Sequence, residues 1–274
     1  MRVPHKKPWG VPTLLLALTM TVAAQQPSSA KADAASQADE PEANPARPTV
    51  STPATLVPAG YFQFESGFLA AWHSPEFSSQ ASINEVVKIS VSPRIEFLAS
   101  ATPFAHSNLA PANAAGDVSL GMQGVVHHGE GTRPTLAVSY FGRVYSGTAP
   151  NLDIGSARNT VILLASADVM GFHYDTNYLF SEIIDDRAIH RAQFGQTLSV
   201  SHPIRRQFGL GGEIWHFTQP FLRSHAIGTL WALSYTAKKN LVFDMGFNRG
   251  LTNTSTRWEV FAGFTYLLPK KLFR

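Results

Sequence analysis

Tyr61-Phe62-Gln63-Phe64-Glu65-Ser66-Gly67-Phe68-Leu69-Ala70-Ala71-Trp72 is the stretch that decides the fold. Phe62, Phe64, Phe68 and Trp72 fall on one side of an extended chain, and Gln63 and Glu65 on the other. A period of two, rich in aromatic residues, is the pattern of a strand with two different environments on its faces. Phe62 and Trp72 stand ten residues apart on the same face, a span of roughly 25 Å for a strand tilted by ~40°. That is the height of a lipid-facing band with an aromatic residue at each margin.

The same period recurs toward the C-terminus. Phe172, Tyr174, Tyr178 and Phe180 alternate with polar residues, as do Leu241, Phe243, Met245 and Phe247, and again Trp258, Val260, Phe264 and Tyr266. Turn residues divide the chain into twelve runs: 60–72, 82–91, 95–104, 116–127, 134–146, 158–168, 171–181, 191–201, 207–218, 225–236, 240–248 and 257–268. Five connectors form one set, typified by Ser92-Pro93-Arg94 and Ala237-Lys238-Lys239; the six that alternate with them are mostly longer. Short turns at one rim and longer loops at the other predict an all-β, single antiparallel up-and-down transmembrane barrel of about twelve strands. A soluble barrel would reverse the faces, but twelve strands enclose more space than side chains fill.

Composition agrees. Charged residues are only 15% of the chain, against ~25% in soluble domains, while apolar residues are 44%. Mean hydropathy is −0.04, and no long apolar run follows residue 24, which excludes a bundle of membrane helices. There is no cysteine, so disulfides, thiolate catalysis and cysteine-based metal sites are excluded.

Residues 1–24 read as a signal peptide: Arg2, Lys6 and Lys7, then an apolar stretch, then Val22-Ala23-Ala24 before a cut near Ala24. Removing those three cations from the formal net charge of +3 leaves the exported chain near neutral, with no basic excess for nucleic acid. Residues 25–46 contain only small, polar, charged and proline residues and are expected to form a disordered linker. The barrel is assigned to 47–274, in the bacterial outer membrane, with outer-membrane lipid, the barrel-insertion machinery and a small-molecule solute as partners. No cofactor is implied.

Strand parity places Glu65, Lys88, Glu96, Asp117, Arg143, Asp175, Glu213, Asp244 and Glu259 on the inner face. Seven acids against two bases predict a weakly cation-preferring lumen. Tyr145, Phe141, Trp215 and Phe217 are read as inward too, where an uncharged aromatic solute would meet them. Glu85 alone falls on the apolar face, near a loop by these strand bounds. The aromatic girdles are assigned to Phe62, Trp72, Phe172, Phe180, Trp258 and Tyr266.

With the strands placed, the chain resembles an outer-membrane transporter family labelled for the meta-cleavage pathway of phenol degradation. The motifs are Arg47-Pro48-Thr49, Leu56-Val57-Pro58-Ala59-Gly60-Tyr61-Phe62-Gln63-Phe64-Glu65-Ser66-Gly67-Phe68, Ser92-Pro93-Arg94-Ile95-Glu96-Phe97, Gly116-Asp117-Val118-Ser119-Leu120-Gly121 and Gly263-Phe264-Thr265-Tyr266. The family tends to have acids around the early Arg-Pro and a Lys after Leu-Gly, where Thr49 and Gln123-Gly124 stand here. The resemblance implies passive transport of small solutes, aromatic or hydrophobic ones among them.

Two other classes compete. A structural or adhesive barrel would use its long loops to bind a partner. An outer-membrane phospholipase would need a serine beside a positioned histidine, and the nearest sequences are His73-Ser74 and His106-Ser107-Asn108. No catalytic residue is assigned. His127-His128 cannot chelate together, because strand neighbours point to opposite faces, and no metal site is expected.

Overall fold

The computed structural model describes residues 41–152, 157–184 and 187–273. The signal peptide, residues 25–40 of the linker and Asp185-Asp186 lie outside them. The described chain forms β1 (Phe62–Trp72), β2 (Ser79–Ser92), β3 (Ile95–Ser107), β4 (Asn113–Ala114), β5 (Val118–His127), β6 (Thr135–Tyr145), β7 (Ala157–Val169), β8 (Phe172–Ile184), β9 (His190–Arg205), β10 (Phe208–Gln219), β11 (Ser224–Lys238), β12 (Leu241–Gly250) and β13 (Trp258–Leu267). Each long strand pairs antiparallel with the next, and β1 pairs with both β2 and β13, which closes the ring. β4 is a two-residue spur on the end of β3, so the wall has twelve staves.

The wall is polar inside and apolar outside. Gln63, Glu65, Lys88, Gln123, Asn177, Thr197 and Asp244 are buried, while Phe68, Phe97, Tyr178, Phe194, Trp231 and Met245 are exposed. No soluble barrel tolerates such an exterior, and a lipid bilayer requires it. This is a transmembrane β-barrel of the outer-membrane kind. At the long-loop rim Trp72 lies opposite Trp258, with Phe180 in the long-loop half of β8. Phe62, Tyr266 and Phe172 lie toward the short-turn rim. There, Met170 (φ 53°) and Gly171 (φ 82°) make a two-residue hairpin turn. Two consecutive residues with positive φ match the right-handed twist of the strands they join.

Two expectations need correction. Glu85 is not near a loop. β2 begins at Ser79, three residues before the predicted start, and Glu85 lies opposite Ser66 in the middle of β1. The long-loop ends of β2 and β3 extend past their turn signals because pairing continues to Gln80–Ser107. The second correction concerns the linker. Residues 41–46 belong to an ordered segment inside the barrel: Ala43 is buried with Val57, Val242 and Leu267, and its N–H donates to the Lys239 carbonyl. Composition predicted disorder because the segment has no apolar face, but it is held by backbone hydrogen bonds to the wall.

Candidate functional site

The lumen is the candidate site, and the chain's own residues 42–59 run through it. Asn44 enters beside β1, where its N–H donates to Gln63 Oε1 (2.8 Å) and its carbonyl accepts from Gln63 Nε2 (2.7 Å). The Ala46 and Arg47 N–H groups donate to the Glu65 carboxylate. The segment then crosses to β10, where the Val50 and Ser51 N–H groups donate to Glu213 Oε2 and Oε1, each at 2.7 Å. Next, Thr52 exchanges two hydrogen bonds with the Asn177 amide. The Ala54 N–H donates to Ser166 Oγ, Gln123 Nε2 donates to the Pro53 carbonyl, and the Val57 N–H donates to Glu96 Oε2. Past Val57 the chain leaves the lumen through Gly60 and becomes β1.

The local chemistry explains this path. Pro45, Pro48, Pro53 and Pro58 restrict φ and donate no N–H, which disfavours a regular ladder with any strand. The remaining N–H groups still need acceptors once out of bulk water. The carboxylates and amides of the wall supply them, several as side-chain substitutes for a neighbouring strand. Apolar side chains add to the fit: Ala54, Val50 and Leu56 pack on a patch that includes Val125, Leu164, Leu179, Trp215 and Phe217.

Arg47 has a prepared socket. Gly67 and Gly263 are directly opposite each other in β1 and β13. A Cβ on Gly67 would lie 2.1 Å from Arg47 Cζ, and one on Gly263 would lie 2.8 Å from Arg47 Nε. The two glycines form a dent that receives the guanidinium, which pairs with Asp244 (3.3 Å).

The nine charged residues read as inward are all buried or half-buried in this interior. Their charges are largely engaged. Lys88 Nζ is 2.6 Å from Glu65 Oε1, and Arg143 Nη1 is 3.1 Å from Asp117 Oδ2. Glu96 and Glu213 are capped by N–H groups of the segment, and Asp244 by Arg47. Asp175 accepts from Ser166 Oγ and lies 3.3 Å from His173 Nε2; Glu259 is buried opposite Asn248. Trp215 and Phe217 point inward, with Trp215 Nε1 donating to Asn248 Oδ1 (2.9 Å), but the segment covers them. Phe141 packs at the edge of the same patch, and Tyr145 is exposed at the long-loop end of β6.

Between the segment and the β8–β12 wall remains a cavity of about 280 Å³. Pro45, Arg47 and Pro48 line one side; His173, Asp175, Ser199 and Ser234 line the other. At His106-Ser107 the two side chains turn to other partners. His106 Nδ1 is 2.8 Å from Asn113 Oδ1, and Ser107 Oγ accepts from the Leu109 N–H. Among the described residues no three metal-binding side chains converge.

The architecture has counterparts among solved structures. An outer membrane channel from Pseudomonas putida F1 superposes with a TM-score of 0.56 at 11% identity, covering 78% of this chain and 98% of that one. The KdgM porin in complex with disordered oligogalacturonate gives 0.53 at 10% identity, with 74% and 98% covered. The NanC porin gives 0.51 at 10% identity, with 75% and 98% covered. The fold is that of an outer-membrane porin. At these identities the likeness is one of fold. No family model matches the chain, and no curated protein matches it.

Proposed function

We propose that the protein is a passive outer-membrane channel for small, uncharged or weakly cationic solutes, narrowed by its own N-terminal segment. The observation behind this reading is the cavity beside Arg47. It adjoins the wall at His173, near the short-turn rim, and its lining mixes proline and the hydroxyls of Ser199, Ser201 and Ser234 with opposite charges that balance, Arg47 and His173 against Glu42 and Asp175. Such a surface suits a small neutral amphiphile, a hydroxylated aromatic for example, better than a chain of charges.

The resemblance to phenol-pathway transporters supports the same solute class. Its motif residues Arg47, Gln63, Glu65 and Glu96 are among those that hold or form the segment, so what the chain shares with that family is concentrated at the constriction. Cation preference is then weaker than a count of seven acids suggests, because Lys88, Arg143, Arg47 and backbone N–H groups face those carboxylates. Glu42 and Asp175 are the acids on the cavity wall, and Asp175 already lies 3.3 Å from His173 Nε2.

Swelling of liposomes containing the purified barrel tests the proposal. Phenol-sized neutral solutes should enter faster than into protein-free liposomes, and disaccharides should be slower by an order of magnitude. Equal entry of both, or of neither, would contradict a narrowed channel. A purely structural barrel predicts no entry.

A further inference from the structure

The outer wall presents apolar side chains to lipid, but the long-loop rim between β12 and β13 carries two cations. Asn248 points inward and is buried, so Arg249, the next residue, points outward. Its guanidinium carbon stands 4.1 Å over the exposed Trp258 ring, and Nη1 donates to the Arg257 carbonyl (3.1 Å). Arg257 is exposed beside it. The two arginines, His73, Asn253 and Trp258 border an open hollow of about 450 Å³.

Neither guanidinium has a carboxylate partner among the described residues. Two like charges held in one hollow repel each other, and Arg249 is fixed by a ring contact and a hydrogen bond instead of moving away into water. A cation placed beside an aromatic girdle is best satisfied by an anion that lies at the same depth. Guanidinium groups match the oxygen geometry of a phosphate and can bind it with paired hydrogen bonds. Below the hollow, exposed Phe247, Val260 and Phe243 continue down the wall as an apolar track. A head group bound to the arginines would therefore lay its acyl chains along β12 and β13.

We propose that Arg249 and Arg257 bind the sugar phosphate of a phosphorylated glycolipid in the outer leaflet. The assignment uses the barrel's location and the long-loop rim facing outward; it does not depend on what passes through the lumen.

The test is native mass spectrometry of the full barrel, delipidated in mild detergent, with three probes in parallel: lipid A bearing two phosphates, its dephosphorylated counterpart, and inorganic phosphate. The phosphorylated lipid should be retained at least tenfold more than the dephosphorylated one. R249Q/R257Q should lose that excess, and R205Q/R206Q at the opposite rim should keep it. R257Q alone, which leaves the Arg249–Trp258 contact in place, should show an intermediate loss and guards against misfolding of the double variant. Equal retention of both lipids would mean that acyl chains alone bind, and retention unchanged in R249Q/R257Q would place the phosphate elsewhere. Either result overturns the proposal, as does binding of inorganic phosphate without retention of the lipid.

Discussion

Replacing Glu213 with glutamine should loosen the luminal segment where it is gripped most tightly. Glu213 accepts from the Val50 N–H, the Ser51 N–H and the Ser51 hydroxyl at 2.7, 2.7 and 2.6 Å. A hydrogen bond to a charged acceptor contributes ~1.5–3 kcal/mol, so the three together contribute roughly 4.5–9 kcal/mol before offsets. A glutamine oxygen at the Oε1 position keeps both bonds from Ser51, weakened to neutral ones, while its NH₂ faces the Val50 N–H and loses that bond outright; together this is a loss of roughly 3.5–6 kcal/mol. Losing the charge also removes the desolvation cost of a buried carboxylate, a few kcal/mol in the opposite direction. About 2 kcal/mol remains, which at ~1.4 kcal/mol per factor of ten raises the undocked population some 20- to 30-fold.

The chain has no cysteine, so a single thiol reports this directly. Ala54 is fully buried against the patch that contains Trp215 and Phe217. In an Ala54→Cys background, maleimide should react roughly 20-fold faster when Glu213→Gln is added, if opening is fast relative to labelling. An unchanged rate would refute the clamp. So would a parent barrel that labels as fast as the urea-unfolded chain.

Other substitutions probe separate parts of the account. Gly67→Val should expel Arg47 from its socket, leave Asp244 unpaired and accelerate Ala54→Cys labelling in the same assay, while Phe68→Val on the outer face should not. Lys88→Met leaves Glu65 buried without its cation and should cost about 3–5 kcal/mol in urea unfolding from lipid vesicles; a loss below 1 kcal/mol would mean that the pair is dispensable. Glu85→Leu removes an acid from the middle of the lipid face and should stabilise the barrel by about 1 kcal/mol in the same titration. Asn151→Cys should label in whole cells and Lys238→Cys only after the envelope is opened; the reverse pattern would invert the topology.

The wall was legible in the sequence because a membrane barrel writes its two environments into alternate residues. Gln63 and Glu65 against Phe62 and Phe64 reveal both the strand and its faces, and turn signals such as Ser92-Pro93-Arg94 fall at observed strand ends. The luminal segment was not legible. It has no period, and its partners are remote: Val50 meets Glu213 across 163 positions and Ala54 meets Ser166 across 112. One signal did exist. Seven inward acids against two inward bases left more buried acceptors than the wall could satisfy, and the missing donors are Arg47 and the N–H groups of residues 44–57. A carboxylate turned into a lumen can be answered by backbone N–H groups as well as by a cation. The depth of Glu85 is hidden for a simpler reason: β2 continues through Ser79-Gln80-Ala81, whose small and polar residues read as a loop.

Single-channel conductance in planar bilayers, measured for the full chain and for a variant lacking residues 44–56, decides whether the segment narrows the lumen. The full chain should show a small, steady conductance and the deletion one several-fold larger, because the segment crosses the lumen from β1 to β10 and back to β3. Equal conductance in the two would show that the segment does not narrow the channel, and silence from both would show that the barrel is not a channel.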